Sequence, residues 1–416
     1  MKALKLRLAI TELPSSPSKT CKPLGQTSVF PSPRSRQRSA SRQGSSKRTL
    51  FRSASTKTHT PNTCFRQLYE ARCSDLNIPV LSDQCSRFLH NCLDVFEQRK
   101  LQLPDLGLGE LSGEELGRLV HKFPVFSCIN LEKNSLGDRG VNSVVKRVVK
   151  YQNLVYLNIG SNEMSVEGTK SILEMLENHP SLVSLDISKN RLSGTISLPN
   201  FLENNTIITH LNLSGTFISA DTLKVLSKGF ELNKGLLFLD ISNNKIKDSL
   251  DTFCKALKDS SLIELVLSQN FVGDLGCSLI AGALSDPNCK LRKLDMSKND
   301  LTVTGTMELF SALRANTALT HLNLSHNYLN QPCDFSKFMG KNSTIGYLNL
   351  SKCNLPNSFL CSLGLELSKS SSLSYLNLSS NSITDQTVKY ISDGVLQNNS
   401  LKVLNLSCNY ISVLFM

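Results

Sequence analysis

Acidic side chains are almost missing from the start of this 416-residue chain: residues 1–60 hold 13 Lys and Arg and one acid, Glu12. The formal net charge of +12 therefore sits in that segment, and the other 356 residues carry 33 basic and 33 acidic groups. This distribution excludes reading the high pI as a basic surface on the folded body. No run of 18 apolar residues occurs, which leaves no candidate membrane span. A continuous apolar core of the secretory-signal type is also missing from the N-terminus. None of the 13 cysteines forms a Cys-x-x-Cys pair, and their spacing suits neither a zinc site nor a disulfide framework. Reduced, mostly buried thiols in a cytoplasmic protein are the plain reading. Neither G-x-x-x-x-G-K nor G-x-G-x-x-G appears, so no nucleotide pocket and no cofactor are expected.

What the chain has in abundance is a repeated pattern. Leu182-Val-Ser-Leu185-Asp-Ile187-Ser-Lys-Asn190 has the form L-x-x-L-x-L-x-x-N. Its Asn slot returns at Asn134, Asn162, Asn190, Thr216, Asn244, Asn270, Asn299, Asn327, Cys353, Asn381 and Asn409, at intervals of 26 to 29 residues. A degenerate copy precedes these, with Leu101 and Leu103 in the strand and Leu106 in the Asn slot. Alternating apolar slots make each segment a short strand with one buried face. The second half of the repeat carries apolar residues at helical spacing, as in Ile172, Leu173 and Leu176. Helices are expected over residues 138–150, 166–178, 221–232, 274–284, 304–316 and 384–397. Strands stack about 4.8 Å apart and helices about 8–10 Å apart, so a stack of such units must curve. The pattern is identified as a leucine-rich repeat, and a 28-residue unit with a full helix resembles the ribonuclease-inhibitor type. The expectation is an α/β solenoid of about twelve repeats over 101–416. It would be a horseshoe, with parallel strands on the concave face and helices on the convex face.

Residues 1–60 contain 19 Ser and Thr and five Pro, and such a segment cannot bury enough apolar surface to order itself. It is expected to be a disordered basic tail, in which Ser16, Ser32 and Ser41 are candidate regulatory phosphorylation sites. Ser41, with Arg38 and Arg36 before it, resembles a basophilic kinase site, and Lys47-Arg-Thr-Leu-Phe51 resembles a cyclin-docking sequence. The tail would contact polyanions, and each phosphate would weaken that contact. An Arg- and Ser-rich start also suits a mitochondrial transit peptide. Residues 61–100 are expected to form a small helical cap over the first repeat. Within them, Phe65-Arg-Gln-Leu-Tyr69-Glu-Ala-Arg-Cys73 followed by Ile78-Pro79 is loosely similar to the lead-in segment of centrosomal and ciliary leucine-rich repeat proteins. That likeness implies a centrosomal, ciliary or cytoskeletal setting. Pro199 should shorten the helix after Asn190, and a short helical stretch is read over 335–339. Only seven residues follow Asn409, without a closing helix. The last coil is therefore expected to be covered by a partner or a second copy, or to belong to a shortened product.

The concave strands carry two outward rows. One holds Asn and Asp, including Asp186, Asp240 and Asp295; the other holds Tyr156, His210, Phe238, His321, Tyr347 and Tyr375. These nine are the candidate partner-binding residues, because Tyr and Phe anchor interfaces. The alternative for the Asn, Asp and Ser positions is that they merely fill a solvated strand. Catalysis has little support: His210 and His321 stand four repeats apart, about 19 Å at strand spacing, and cannot share a metal or a proton. The sequence is thus read as a non-enzymatic scaffold with a protein partner on its concave face and no small-molecule substrate. Two other readings stand beside it. Ran GTPase-activating proteins resemble this repeat type, which would make Arg139 an edge arginine in a loop after the strand. An innate-sensor-like repeat domain is the other, though no nucleotide-binding module accompanies it.

Overall fold

The computed structural model describes residues 60–92, 98–192, 197–247, 250–332 and 342–412. The candidate sites Ser16, Ser32 and Ser41, the helix read over 335–339 and the last four residues lie outside this set. Two helices come first, α1 (Pro61–Asp75) and α2 (Ser82–Asn91). Twelve strands of three residues follow: β1 (Lys100–Gln102), β2 (Cys128–Asn130), β3 (Tyr156–Asn158), β4 (Ser184–Asp186), β5 (His210–Asn212) and β6 (Phe238–Asp240). The sheet continues through β7 (Glu264–Val266), β8 (Lys293–Asp295), β9 (His321–Asn323), β10 (Tyr347–Asn349), β11 (Tyr375–Asn377) and β12 (Val403–Asn405). They pair in sequence order as one parallel sheet. Register is strict: Leu157, Leu185, Leu211, Leu239 and Leu265 are successive partners. Every residue class of the repeat therefore forms a continuous row.

The helices between strands are α3 (Glu110–Lys122), α4 (Gly137–Val148), α5 (Val166–Leu176), α6 (Ser197–Asn204), α7 (Ala220–Leu232) and α8 (Asp251–Lys258). They continue with α9 (Gly273–Leu284), α10 (Val303–Leu313), α11 (Asn357–Leu367) and α12 (Asp385–Gln397). Six match the helices read from periodicity, to within one residue at the start and up to three at the end. The periodicity missed α3, α8 and α11, while α6 is the shortened helix expected at Pro199. Neighbouring helices meet at glycines. A Cβ on Gly113 would lie 2.3 Å from the Gly140 Cα, and one on Gly394 would lie 1.9 Å from the Gly364 carbonyl oxygen. Helix backbones thus approach at small residues, which a hydrophobic count cannot register. Helix α6 spans eight residues, with Pro199 in its first turn, where the missing N–H costs little.

The strands are short because the chain turns out of the sheet at each Asn slot. The residue before it is left-handed in coil after coil, with φ of 57° at Lys133, 54° at Lys189, 53° at Lys298 and 53° at Lys352. Such a conformation is costly for residues other than glycine, Asn and Asp. The buried Asn that follows holds it in place. Asn270 Nδ2 donates to the Leu267 carbonyl of its own coil at 2.9 Å and to the Ile241 carbonyl of the coil before at 2.8 Å. Its Oδ1 accepts from the Asn244 backbone N–H at 3.0 Å. One carboxamide therefore satisfies groups of two coils, and the same bonds recur at Asn190, Asn327 and Asn381. Thr216 donates to the Leu213 carbonyl and Cys353 to the Leu324 carbonyl, each a part of what Asn provides.

A second ladder runs under the helix C-termini, at the slot where Asn or Ser before the next Leu is read from sequence as a helix stop, as in Asn316-Thr-Ala-Leu319. Asn233 Nδ2 donates to the Leu202 and Asn205 carbonyls, and its Oδ1 accepts from the N–H groups of Gly235 and Leu236. Asn205, Asn316, Asn342 and Asn398 repeat the arrangement. In the α5 coil His179 takes the slot. Its Nδ1 accepts from the Ser181 and Leu182 N–H groups, and Nε2 faces the Val148 carbonyl at 3.2 Å. Two donors on Nδ1 fix the neutral tautomer with the proton on Nε2.

Between the ladders, one apolar core runs from Phe65 and Leu68 of α1 to Leu404 of β12. Helix α1 packs on the first coil, and the Asp75 carboxylate accepts from the N–H groups of Gly109, Leu111 and Ser112 at the start of α3. The same device links later coils: Asp138 accepts from Ser165, and Asp274 from Thr302. A carboxylate at these positions satisfies orphan N–H groups and suits the positive helix end.

Replacing Asn270 by Ala is expected to lower unfolding free energy by about 1–3 kcal/mol, because buried partners in two coils are orphaned. Thr216→Asn should raise it by about 0.5–2 kcal/mol by completing a rung; urea denaturation measures both. Burial holds His179 below the ordinary histidine value of 6.5. Its stabilising contribution is therefore present above pH 6.5 and lost as pH falls toward the lower folded value. His179→Asn should keep the rung and make the loss of thermal stability as pH falls below 6.5 shallower.

Candidate functional site

Strict register turns the first outward position of each strand into a row along the concave face. Two stacked clusters occupy it. His210 lies on Phe238, with ring centroids 5.7 Å apart and planes at 21°. His321 lies on Tyr347 at 5.5 Å and 19°, and Tyr347 on Tyr375 at 4.5 Å and 10°. Adjacent parallel strands force this offset stacking, the favourable arrangement for such rings. The row is not one aromatic line. Ser184 stands between Tyr156 and His210. Glu264 and Lys293 stand between Phe238 and His321, with Nζ 2.9 Å from the carboxylate. Tyr156 is thus separate from both stacks, and its hydroxyl accepts from Asn158 Nδ2 at 3.4 Å.

In the second row the Asn and Asp side chains are largely committed to the backbone. Each Asn or Asp turns one oxygen back onto the N–H two residues ahead. Asp186 accepts from Ser188, Asp240 from Ser242 and Asp295 from Ser297, at 2.8–2.9 Å. Asn212, Asn323, Asn349 and Asn377 do the same. These are Asx turns that end the strands, so the residue type has a backbone task. The second oxygen of Asp186 accepts from Asn212 Nδ2 at 2.7 Å and that of Asp295 from Asn323 Nδ2 at 2.8 Å. Most of the following Ser row is buried or half-buried. Ring faces are the less committed part of the concave surface.

Electrostatics on this face are mildly acidic. Glu132, Asp186, Asp240, Glu264 and Asp295 face one cation, Lys293, between β2 and β9. Burial raises the carboxyls of Asp186 and Asp240 above the ordinary value. It lowers His210 and His321, so both rings are neutral at pH 7. The Tyr347 hydroxyl is pushed up to about 12 by burial, then by Tyr375 and Asp295. His210 and His321 are separated by β6, β7 and β8. His326 is three residues beyond β9 and belongs to the rim. Among the described residues no three His, Cys, Asp or Glu are grouped as metal ligands. Burial pushes the thiols of Cys254 and Cys353 up to about 12, which suppresses the thiolate. Arg139 lies in the first turn of α4, within the helix read over 138–150 rather than in the loop that the Ran-type likeness would need, and pairs with Glu114 of α3 at 2.8 Å.

Sequence reasoning passed over the slot after each Asn position of the repeat, where Phe217, Phe271, Tyr328 and Tyr410 are exposed. A single signal would have found them: aromatic residues immediately following the Asn position.

These features define a leucine-rich repeat protein of the ribonuclease-inhibitor-like type. Leucine-rich repeat family models match residues 288–310, 369–392 and 397–412, and a second such model matches 318–338. The chain is 41% identical to mouse (Mus musculus) ribonuclease inhibitor over 81 residues, 19% of this chain and 18% of that protein. It is 32% identical over 136 residues to mouse NACHT, LRR and PYD domains-containing protein 12, 32% of this chain and 13% of the relative. It is 28% identical to human (Homo sapiens) NACHT, LRR and PYD domains-containing protein 5 over 183 residues, 42% of this chain and 15% of the relative. The matched stretches thus span less than a fifth of these relatives. No helix among the described residues is long and apolar enough to cross a membrane.

Asp240 offers a check on the site's electrostatics. Its raised carboxyl means that ionisation costs folding free energy at neutral pH. Asp240→Asn keeps the acceptor for the Ser242 N–H and should raise Tm at pH 7. That gap should close as pH falls toward the ordinary carboxyl value of 3.8. Asp240→Ala, which breaks the turn, should cost about 1 kcal/mol.

Proposed function

We propose that this protein is a non-enzymatic interaction scaffold that holds a protein partner on its concave face. The observation that carries this reading is the three-ring stack of His321, Tyr347 and Tyr375 on adjacent strands. Stacked rings on a rigid sheet lose little side-chain freedom on binding and offer a large apolar face, the properties of an interface anchor. His210 with Phe238 forms a second, smaller anchor three coils away. Asp186, Asp240 and Asp295 flank the rings with negative charge, which favours a partner segment bearing Lys or Arg. Relatives named as ribonuclease inhibitor and as NACHT, LRR and PYD domains-containing proteins support a binding role for such repeats.

The proposed role of residues 1–60 is a basic tether whose grip on polyanions falls when Ser16, Ser32 or Ser41 is phosphorylated. It rests on their charge alone. A centrosomal or ciliary setting rests on the likeness of residues 65–79 alone.

Affinity capture of full-length protein from cytoplasmic extract, with Tyr347→Ala/Tyr375→Ala beside wild type, tests the concave seat. The double variant should lose the main co-purifying protein by about tenfold or more while keeping its Tm within a few degrees. An unchanged partner profile would move the seat off these rings. A parallel deletion of residues 1–59 separates salt-sensitive retention by the tail from the concave interaction.

A further inference from the structure

One rim of the solenoid, where the chain leaves each strand, has no part in the reading above. The residues before and after each buried Asn emerge there, as Lys189 and Arg191 do on either side of Asn190. Consecutive coils alternate in what they present. The coils of β4, β6, β8 and β10 present cations: Lys189 with Arg191, then Lys245, Lys298 and Lys352, all exposed. The coils of β5, β7 and β9 between them present Phe217, Phe271 and Tyr328, which are 53%, 58% and 59% exposed. From β4 to β10 the only acid in these slots is Asp300. Among the described residues none of these cations is in an ion pair. They lie close to the intervening coils. A Cβ on Gly215, two residues before Phe217, would stand 3.2 Å from Lys189 Cγ. His326, two residues before Tyr328, is held below its ordinary value by burial and by Lys352 and Lys298.

Exposed aromatics of this size need a reason, and three at one slot are not scattered singles. We propose that this rim is a docking strip for an acidic amphipathic helix of a partner protein. Its apolar residues would lie on the three rings and its carboxylates between them on the Lys and Arg side chains. Charge complementarity sets the sign of the partner. Spacing sets its form. Rings two coils apart repeat on the order of every 10 Å at strand spacing, and two turns of an α-helix, seven residues, rise about 10.5 Å. Apolar residues seven apart would thus meet successive rings, with Glu or Asp midway meeting the cationic coil. A single-stranded nucleic acid shares the negative charge, but it stacks successive bases on successive aromatics, and here a cationic coil interrupts every pair of rings. The strip lies outside the two concave rows, so it holds whether or not the concave stack is a seat.

The test uses the full chain and a fluorescent peptide of about 21 residues with Leu at every seventh position and Glu between. A scrambled peptide of the same composition controls for attraction to the basic N-terminal segment. Anisotropy should show the ordered peptide bound about tenfold or more tighter than the scrambled one. That preference should vanish in Phe217→Ser/Phe271→Ser/Tyr328→Ser and, separately, in Lys245→Glu/Lys298→Glu/Lys352→Glu. All six side chains are exposed, so Tm should stay near wild type in both variants. Equal binding of the two peptides would overturn the proposal, as would a preference that survives both variants. So would an oligothymidine whose binding falls in the ring variant while the ordered peptide is not held.

Discussion

The structure depends on one side chain used many times. A buried Asn carboxamide donates to carbonyls of two coils and accepts from an N–H of the coil before it, as Asn270 does with Leu267, Ile241 and Asn244. Without it, the left-handed turn after each strand would leave backbone groups unpaired inside an apolar stack. With it, each coil becomes a template for the next, and register propagates from β1 to β12. Stability in such a stack is a sum of coil and interface contributions, so a weak rung at Thr216 or Cys353 is tolerated.

That regularity makes a binding surface without any dedicated pocket. Strict register places His321, Tyr347 and Tyr375 over one another, and the same register places Glu264 beside Lys293. Each functional row thus follows from the choice of one residue per repeat on an unchanging backbone. The Asx turns of Asp186, Asp240 and Asp295 belong to the scaffold as much as to the surface. The ring faces, the second oxygen of Asp240 and the outward ends of the rim residues are what the scaffold leaves for a partner.

Legibility in the sequence tracked how uniform each slot is. Leu185, Ile187 and Asn190 have close equivalents in nearly every coil, so the strands and the first ladder could be read directly. The slot of the second ladder was legible only as a helix stop, because it is filled by His179, Asn205, Asn233, Asn316, Asn342 and Asn398 with Ser260 and Ser370 among them. Several residue types meet the same need for one acceptor and one donor, and a pattern search sees variety. At the site, the six ring positions were legible as a row. The breaks at Ser184 and at Glu264–Lys293 were legible too, but their effect on stacking was not. The commitment of the Asp oxygens to backbone N–H groups requires the turn geometry that only the fold supplies.

Hydrogen–deuterium exchange of the intact chain tests the Asn-templated stack most directly. Amides that donate to ladder carboxamides, such as those of Asn162 and Met164 on Asn190 and of Asn299 and Leu301 on Asn327, belong to loops next to an exposed rim. They should nonetheless exchange as slowly as the strand amides of β4 to β9, on the timescale of cooperative opening of the stack. Fast exchange at these amides, with protection confined to the helices, would contradict the account.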